Sequence, residues 1–119
     1  MHSSEFLSLS EYLMEGSSGF EEASYRTAAN RAYLALALWL ANMLREGYGV
    51  DIPRSTRFYH VIEEQATDLD PLLGEDLRML RRIRNNADYD LDLRFMKADA
   101  IRAVVLAKAM TALLKEKFR

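Results

Sequence analysis

Apolar residues recur along this chain at spacings of three and four, which is typical of amphipathic helices rather than of strands. In the first such segment Phe6, Leu9 and Leu13 share one helical face. The pattern predicts five helices, over residues 4–15, 20–46, 55–67, 71 to 89 or 91, and 97–117. One long irregular loop is predicted over residues 47–55, where Gly49 and Pro53 interrupt the periodicity.

The helices belong to one domain spanning residues 1–119, since a chain of 119 residues builds one hydrophobic core but not two. Ser18 followed by Glu21 matches a capping box before the second helix. Pro71 suits the first turn of the fourth helix. Because the predicted connections are mostly short, neighbouring helices should run antiparallel. We therefore expect an all-α fold, an up-and-down bundle of four to five helices.

The second helix is apolar on both sides. Its main stripe consists of Tyr25, Ala29, Ala32, Leu36, Trp39, Leu40 and Met43, and the opposite face carries Leu34, Ala37, Leu38 and Ala41. A helix that is apolar all round must be covered all round. Either this helix is the central helix of the bundle, or its second face meets another subunit. We expect a homodimer, because so small a domain rarely encloses one helix completely. The fifth helix adds a smaller second patch of Ile101, Val104 and Val105.

The fourth helix carries charges on its buried side. Its apolar stripe consists of Leu73, Leu77, Leu80, Ala87 and Leu91. Arg84 and Asp88 fall within that stripe at a spacing of four, so their side chains can meet. Two interpretations stay open: an ion pair that fixes helix packing, or a polar pocket lined by Arg84, Asp88 and Tyr89. Arg26 and Asn30, near the start of the second helix, are predicted to be ordinary surface residues.

Composition narrows the chemistry further. The net charge of −2 offers no overall field to attract nucleic acid or an anionic membrane, so such binding would need a local patch. The chain has no cysteine, only two histidines far apart, and no glycine-rich phosphate loop. No apolar run approaches the ~20 residues that cross a bilayer. We expect a soluble, cytoplasmic protein without a metal or cofactor.

Three features together resemble the HEPN domain family. Residues 25–33, Tyr-Arg-Thr-Ala-Ala-Asn-Arg-Ala-Tyr, resemble a motif on the second helix of that family, and His60 lies where small HEPN proteins often carry a histidine. Residues 80–89, Leu-Arg-Arg-Ile-Arg-Asn-Asn-Ala-Asp-Tyr, resemble the family's ending of the fourth helix. The resemblance implies a helical bundle that commonly dimerises, with motif residues near the dimer groove.

Many HEPN domains are metal-independent ribonucleases, often toxins encoded beside a minimal nucleotidyltransferase antitoxin, and their motif is an arginine followed after four to six residues by a histidine. Here Arg84 matches the arginine, but Tyr89 stands at the four-residue position and no histidine follows. A histidine titrates near pH ~6.5 and shuttles protons, whereas tyrosine, at ~10, is a poor general base.

The resemblance therefore favours a domain that binds a nucleotide, RNA or a partner nucleotidyltransferase rather than an enzyme. The expected ligand-binding residues are Arg84, Asp88, Tyr89, Arg31 and Asn85. One alternative is a ribonuclease toxin with a variant site, for which Arg84, Tyr89 and His60 are the candidates. A second alternative is a purely structural dimerisation module.

Overall fold

The computed structural model describes residues 3–16, 19–55 and 57–117, and within these ranges it contains helices and no strand. The five helices are α1 Ser3–Met14, α2 Glu21–Tyr48, α3 Phe58–Leu69, α4 Pro71–Tyr89 and α5 Lys97–Lys117. The all-α prediction is confirmed, and the ends of α4 and α5 lie where the pattern placed them. Helix α3 begins three residues later than predicted, at Phe58.

Local sequence explains where the helices begin and end. Asp70 caps α4, since its Oδ1 accepts a hydrogen bond from the Leu72 backbone N–H at 3.0 Å. Helix α2 ends at Tyr48, and the φ of 63° at the following Gly49 is a left-handed conformation that favours glycine. Ser18 of the predicted capping box lies outside the described residues. Glu21 accepts a hydrogen bond from the Gly19 backbone N–H at 3.2 Å.

Helix α2 is the central helix, packed against all four others. Around it the neighbouring helices follow in the order α1, α5, α4, α3, while α1 and α3 do not touch. Ala37 and Ala41, on its second apolar face, are fully buried within the chain. Leu34 stays half-buried and Leu38 partly exposed. The sequence left open whether the second apolar face of α2 is covered by the bundle or by another subunit. Burial within one subunit accounts for most of that face.

Helices α3 and α4 approach each other closely at Gly74. A Cβ atom placed on Gly74 would lie 2.1 Å from Thr67 Oγ1 and 2.9 Å from Thr67 Cα, so only glycine fits without displacing α3. Thr67 also lines a groove between the two helices. No helix in the described ranges has the length and apolar character needed to cross a membrane.

Candidate functional site

Three tyrosine rings from three different helices surround the Arg84 guanidinium. Its central carbon lies 5.6 Å from the ring centre of Tyr33 on α2, 5.3 Å from that of Tyr59 on α3 and 5.5 Å from that of Tyr89 on α4. These distances fall within the range of cation–π attraction. The Arg84 side chain is only 14% exposed, whereas Tyr89 is 71% exposed. The cluster is thus closed on the core side and open at Tyr89.

The Asp88 carboxylate joins this cluster to α2. Arg84 Nε lies 2.9 Å from Asp88 Oδ2, which confirms that the two residues meet along α4. Asn30 Nδ2 donates to the same oxygen at 2.9 Å. A different nitrogen of the guanidinium, Arg84 Nη1, donates a hydrogen bond to Asn85 Oδ1 at 3.1 Å. The positive charge of Arg84 is balanced by the negative charge of Asp88. Ionised side chains tolerate partial burial when they are paired in this way.

Arg26 is not the surface residue that the sequence suggested. It is buried, and its guanidinium donates to the backbone carbonyls of Asn86, Ala87, Asp90 and Leu93 at and beyond the end of α4. The last carbonyls of a helix have no partners within it and carry partial negative charge, so a cation there satisfies both needs. Arg26 therefore holds the end of α4 that carries Asp88 and Tyr89.

An open groove of about 590 Å³ lies between α3 and α4, one helical turn along α4 from Arg84. Its lining residues are His60, Glu63, Glu64, Thr67, Asp68, Arg78 and Arg81. Two pairs of charged or titratable side chains lie in the groove. Arg81 on α4 pairs with Glu63 on α3, with Nε 3.1 Å from Oε1. His60 and Glu64 pair along α3, with Nε2 2.9 Å from Oε1. We call this space the α3–α4 groove.

Buried polar groups connect the groove to the tyrosine cluster. Glu63 is buried, and burial raises the pKa of its carboxyl even though Arg81 and Arg78 oppose the change. The Tyr33 hydroxyl is fully buried and has no hydrogen-bond partner among the residues that the structure describes. Burial, reinforced by the nearby Glu63 charge, raises the pKa of Tyr33, so this phenol stays protonated across the physiological range.

The structure brings together some of the predicted site residues and separates others. Arg84, Asp88, Asn85 and Tyr89 share the end of α4, and His60 lies in the adjoining groove. Arg31 does not join them, because its guanidinium stacks 5.7 Å from the ring centre of Phe6 on α1.

Sequence reasoning did not assign Asn30, Tyr33 or Tyr59 to the cluster. One signal was available, since Asn30 and Tyr33 are three residues apart on one face of α2. Nothing local marks Tyr59, which reaches Arg84 only because α3 packs beside α4.

Nowhere in the described ranges do three or more histidine or acidic side chains gather closely enough to bind a metal ion. Protein-family models, curated proteins and solved structures were all compared with the chain, and none of them matches it.

Proposed function

We propose that this domain is a HEPN-like binding module that holds a nucleobase-bearing ligand, a free nucleotide or a single-stranded RNA, at the tyrosine cluster around Arg84. The observation that carries the proposal is Tyr89, whose ring packs on the Arg84 guanidinium while 71% of the residue is exposed. The resemblance of residues 80–89 to the HEPN motif supports the same surface.

Tyr89 has the properties of a stacking platform. Stacking of a base on an aromatic side chain contributes about 1–3 kcal/mol and tolerates any base, since every base has a π-face. The Arg84 guanidinium holds the Tyr89 ring against the helix end, which reduces the entropy that the ring would lose on binding. The adjoining Arg81, whose side chain is partly exposed, lies within reach of a phosphate in the groove.

Charge in the α3–α4 groove favours a small ligand over a duplex. Three carboxylates (Glu63, Glu64 and Asp68) face two guanidiniums, Arg78 and Arg81. Duplex binding requires many arginines and lysines along a phosphate backbone that carries one charge per ~1.7 Å. Any phosphate of a bound ligand would therefore have to lie beside Arg78 and Arg81, away from the three carboxylates.

The test measures binding of three probes to the purified protein: adenosine triphosphate, a short fluorescein-labelled single-stranded RNA and the same RNA annealed to its complement. We expect the single strand or the nucleotide to bind and the duplex to bind more weakly. Replacing Tyr89 by alanine should weaken binding about 10-fold, the loss that corresponds to ~1.4 kcal/mol of stacking.

Tyr12→Ala is the matched control, because Tyr12 on α1 is 75% exposed and lies outside the cluster. That variant should bind as the unmodified protein does, and both variants should keep its helical circular dichroism. Absence of binding by all three probes, or equal binding by Tyr89→Ala and Tyr12→Ala, would overturn the proposal.

The same samples decide the ribonuclease alternative. His60 lines the groove beside Tyr59, which contacts Arg84, so an imidazole is present next to the cluster. Its Nε2 is paired with Glu64 at 2.9 Å. Under the binding proposal the RNA stays intact after incubation. Cleavage that His60→Ala or Tyr89→Phe abolishes would identify a variant ribonuclease instead.

Homodimerisation is part of the proposal, with the outer face of α5 as the contact. Val104 is buried, but Ile101 and Val105 remain exposed on that face together with the small residues Ala98, Ala109 and Ala112. Small side chains allow two helices to approach closely, and the paired copies would remove exposed apolar area from water. Light scattering at micromolar concentration should give a molar mass of twice 13.7 kDa, and the Val105→Glu variant should give half of that mass. A mass of 13.7 kDa for the unmodified protein would contradict this part.

A further inference from the structure

We propose that the flank of α4 opposite the tyrosine cluster docks an acidic, amphipathic segment of a partner protein. A second groove, here called the α4–α5 groove, runs there between α4 and the start of α5. Its lining residues are Met79, Arg82, Ile83, Asn86, Leu93, Phe95, Asp99 and Arg102. This surface shares no lining residue with the α3–α4 groove, so the inference stands independently of the proposed function.

The floor of the α4–α5 groove is apolar and firmly held. Ile83 and Phe95 form it and are themselves buried, while Met79 and Leu93 stand partly exposed at its edges. Phe95 is held in place by the Arg26 guanidinium, 5.6 Å from its ring centre. A preformed apolar depression with exposed apolar edges is the kind of surface on which the anchor residues of protein interfaces dock.

The size of the groove points to side chains rather than to a small-molecule ligand. Its volume is about 250 Å³, below the ~300–1,000 Å³ of typical small-molecule sites. One or two leucine-sized side chains fit this space. A helical segment delivers such a pair at spacings of three or four residues.

Charged side chains at the rim of the α4–α5 groove favour a partner segment of opposite charge. Arg82 has no ion-pair partner among the described residues, and Arg102 has only Asp99 at 3.9 Å, a distance at the limit of an ion pair. Two guanidiniums therefore flank an apolar floor with little internal compensation. Charged rims of this kind mainly set partner choice and association rate, and this rim favours carboxylates. The occupant is thus a segment with two apolar anchors and flanking aspartate or glutamate.

The experiment selects peptides that bind the purified protein from a display library of random sequences, so that no partner has to be assumed. Sequences that survive selection should combine acidic residues with apolar residues spaced three or four apart. The selected peptides, once synthesised, should shift the backbone amide resonances of Met79, Leu93 and Arg102 in nitrogen-15 spectra. Their affinity should fall at least ~10-fold for Met79→Asp, as expected for losing an apolar anchor contact worth ~1.4 kcal/mol.

Two further variants keep the result interpretable. Leu72→Asp is the matched control, since Leu72 is also on α4 and exposed (69%, against 45% for Met79) but does not line the groove. It should bind the winning peptides normally. The double variant Arg82→Glu with Arg102→Glu should reject them and accept copies in which lysine replaces each acidic residue.

The inference would be overturned by no enrichment above the Met79→Asp protein, by selected peptides without acidic bias, or by equal losses of affinity in Met79→Asp and Leu72→Asp. Groove resonances that shift on simple dilution, without peptide, would show that a second copy of the chain occupies the groove and would equally refute a foreign partner.

Discussion

The Arg26 guanidinium on α2 donates to the Ala87 carbonyl on α4 at 2.9 Å, although 61 residues separate the two in sequence. The same guanidinium reaches the carbonyls of Asn86 and Asp90 at 3.0 and 3.1 Å. One side chain thus caps the helix end on which the candidate site is built. Arg26 thus supports the helix end that carries Tyr89, although it is not one of the residues around the Arg84 guanidinium.

Arg26→Met should lower the free energy of unfolding by about 3 kcal/mol, because the buried Ala87 carbonyl and the partly buried Asp90 and Leu93 carbonyls lose this donor. Arg26→Lys should recover only part of this loss, since an ammonium cannot reproduce the fork of a guanidinium. Urea denaturation measures both. Arg102→Met, at an exposed position, serves as the control and should change stability by less than ~0.5 kcal/mol. Equal stability of Arg26→Met and Arg102→Met would contradict the capping role.

The ion pair between Arg84 and Asp88 should contribute measurably to stability. In a double-mutant cycle with Arg84→Met and Asp88→Asn we expect a coupling energy of about 1–2 kcal/mol, because both side chains are largely buried. The exposed pair Asp99 and Arg102, 3.9 Å apart, provides a reference cycle that should give less than ~0.5 kcal/mol. If both cycles give the same small value, the Arg84–Asp88 pair does not fix the packing of α4.

Gly74→Ala should destabilise the protein by about 1–3 kcal/mol, since its Cβ would overlap Thr67 and push α3 away from α4. Gly47→Ala is the matched control on α2, where a Cβ meets nothing within 4 Å. That control should be neutral or stabilising by up to about 1 kcal/mol, as expected for alanine in a helix. Thermal unfolding followed by circular dichroism compares the two. A stable Gly74→Ala protein would mean that the helices separate without cost.

Glu63 should make stability pH-dependent in a defined direction. Burial raises its folded-state pKa, so the folded protein holds this proton more tightly than the unfolded chain does. The wild type should therefore lose stability relative to Glu63→Gln as pH rises from about 4 to about 7, through and above the ordinary value of ~4.3. Urea denaturation of both proteins at these two pH values measures the difference.

The comparison with Glu63→Gln is needed because Asp70 acts in the opposite sense. A hydrogen bond from Lys117 lowers the pKa of Asp70, so its contribution is present at neutral pH and lost on acidification. Asp70 is common to both proteins and cancels in the difference. A difference that does not change with pH would show that Glu63 is ionised at no cost in the folded state.

The sequence by itself determined the helices and the short-range pair within them. Periodicity located all five segments, because each helix must bury one face whatever it packs against. Asp70 and Pro71 marked the start of α4 through local hydrogen bonding and a fixed φ. The contact of Arg84 with Asp88 followed from a spacing of four, since the helix alone brings such residues together.

Only the tertiary structure decided which polar residues gather around that pair. Whether Arg26 lies in water or under α4, and whether Tyr59 or Arg31 reaches Arg84, depends on the arrangement of helices around α2. The same arrangement covers Ala37 and Ala41 within one subunit. These contacts join residues far apart in sequence, and local periodicity carries no information about which helix faces are neighbours.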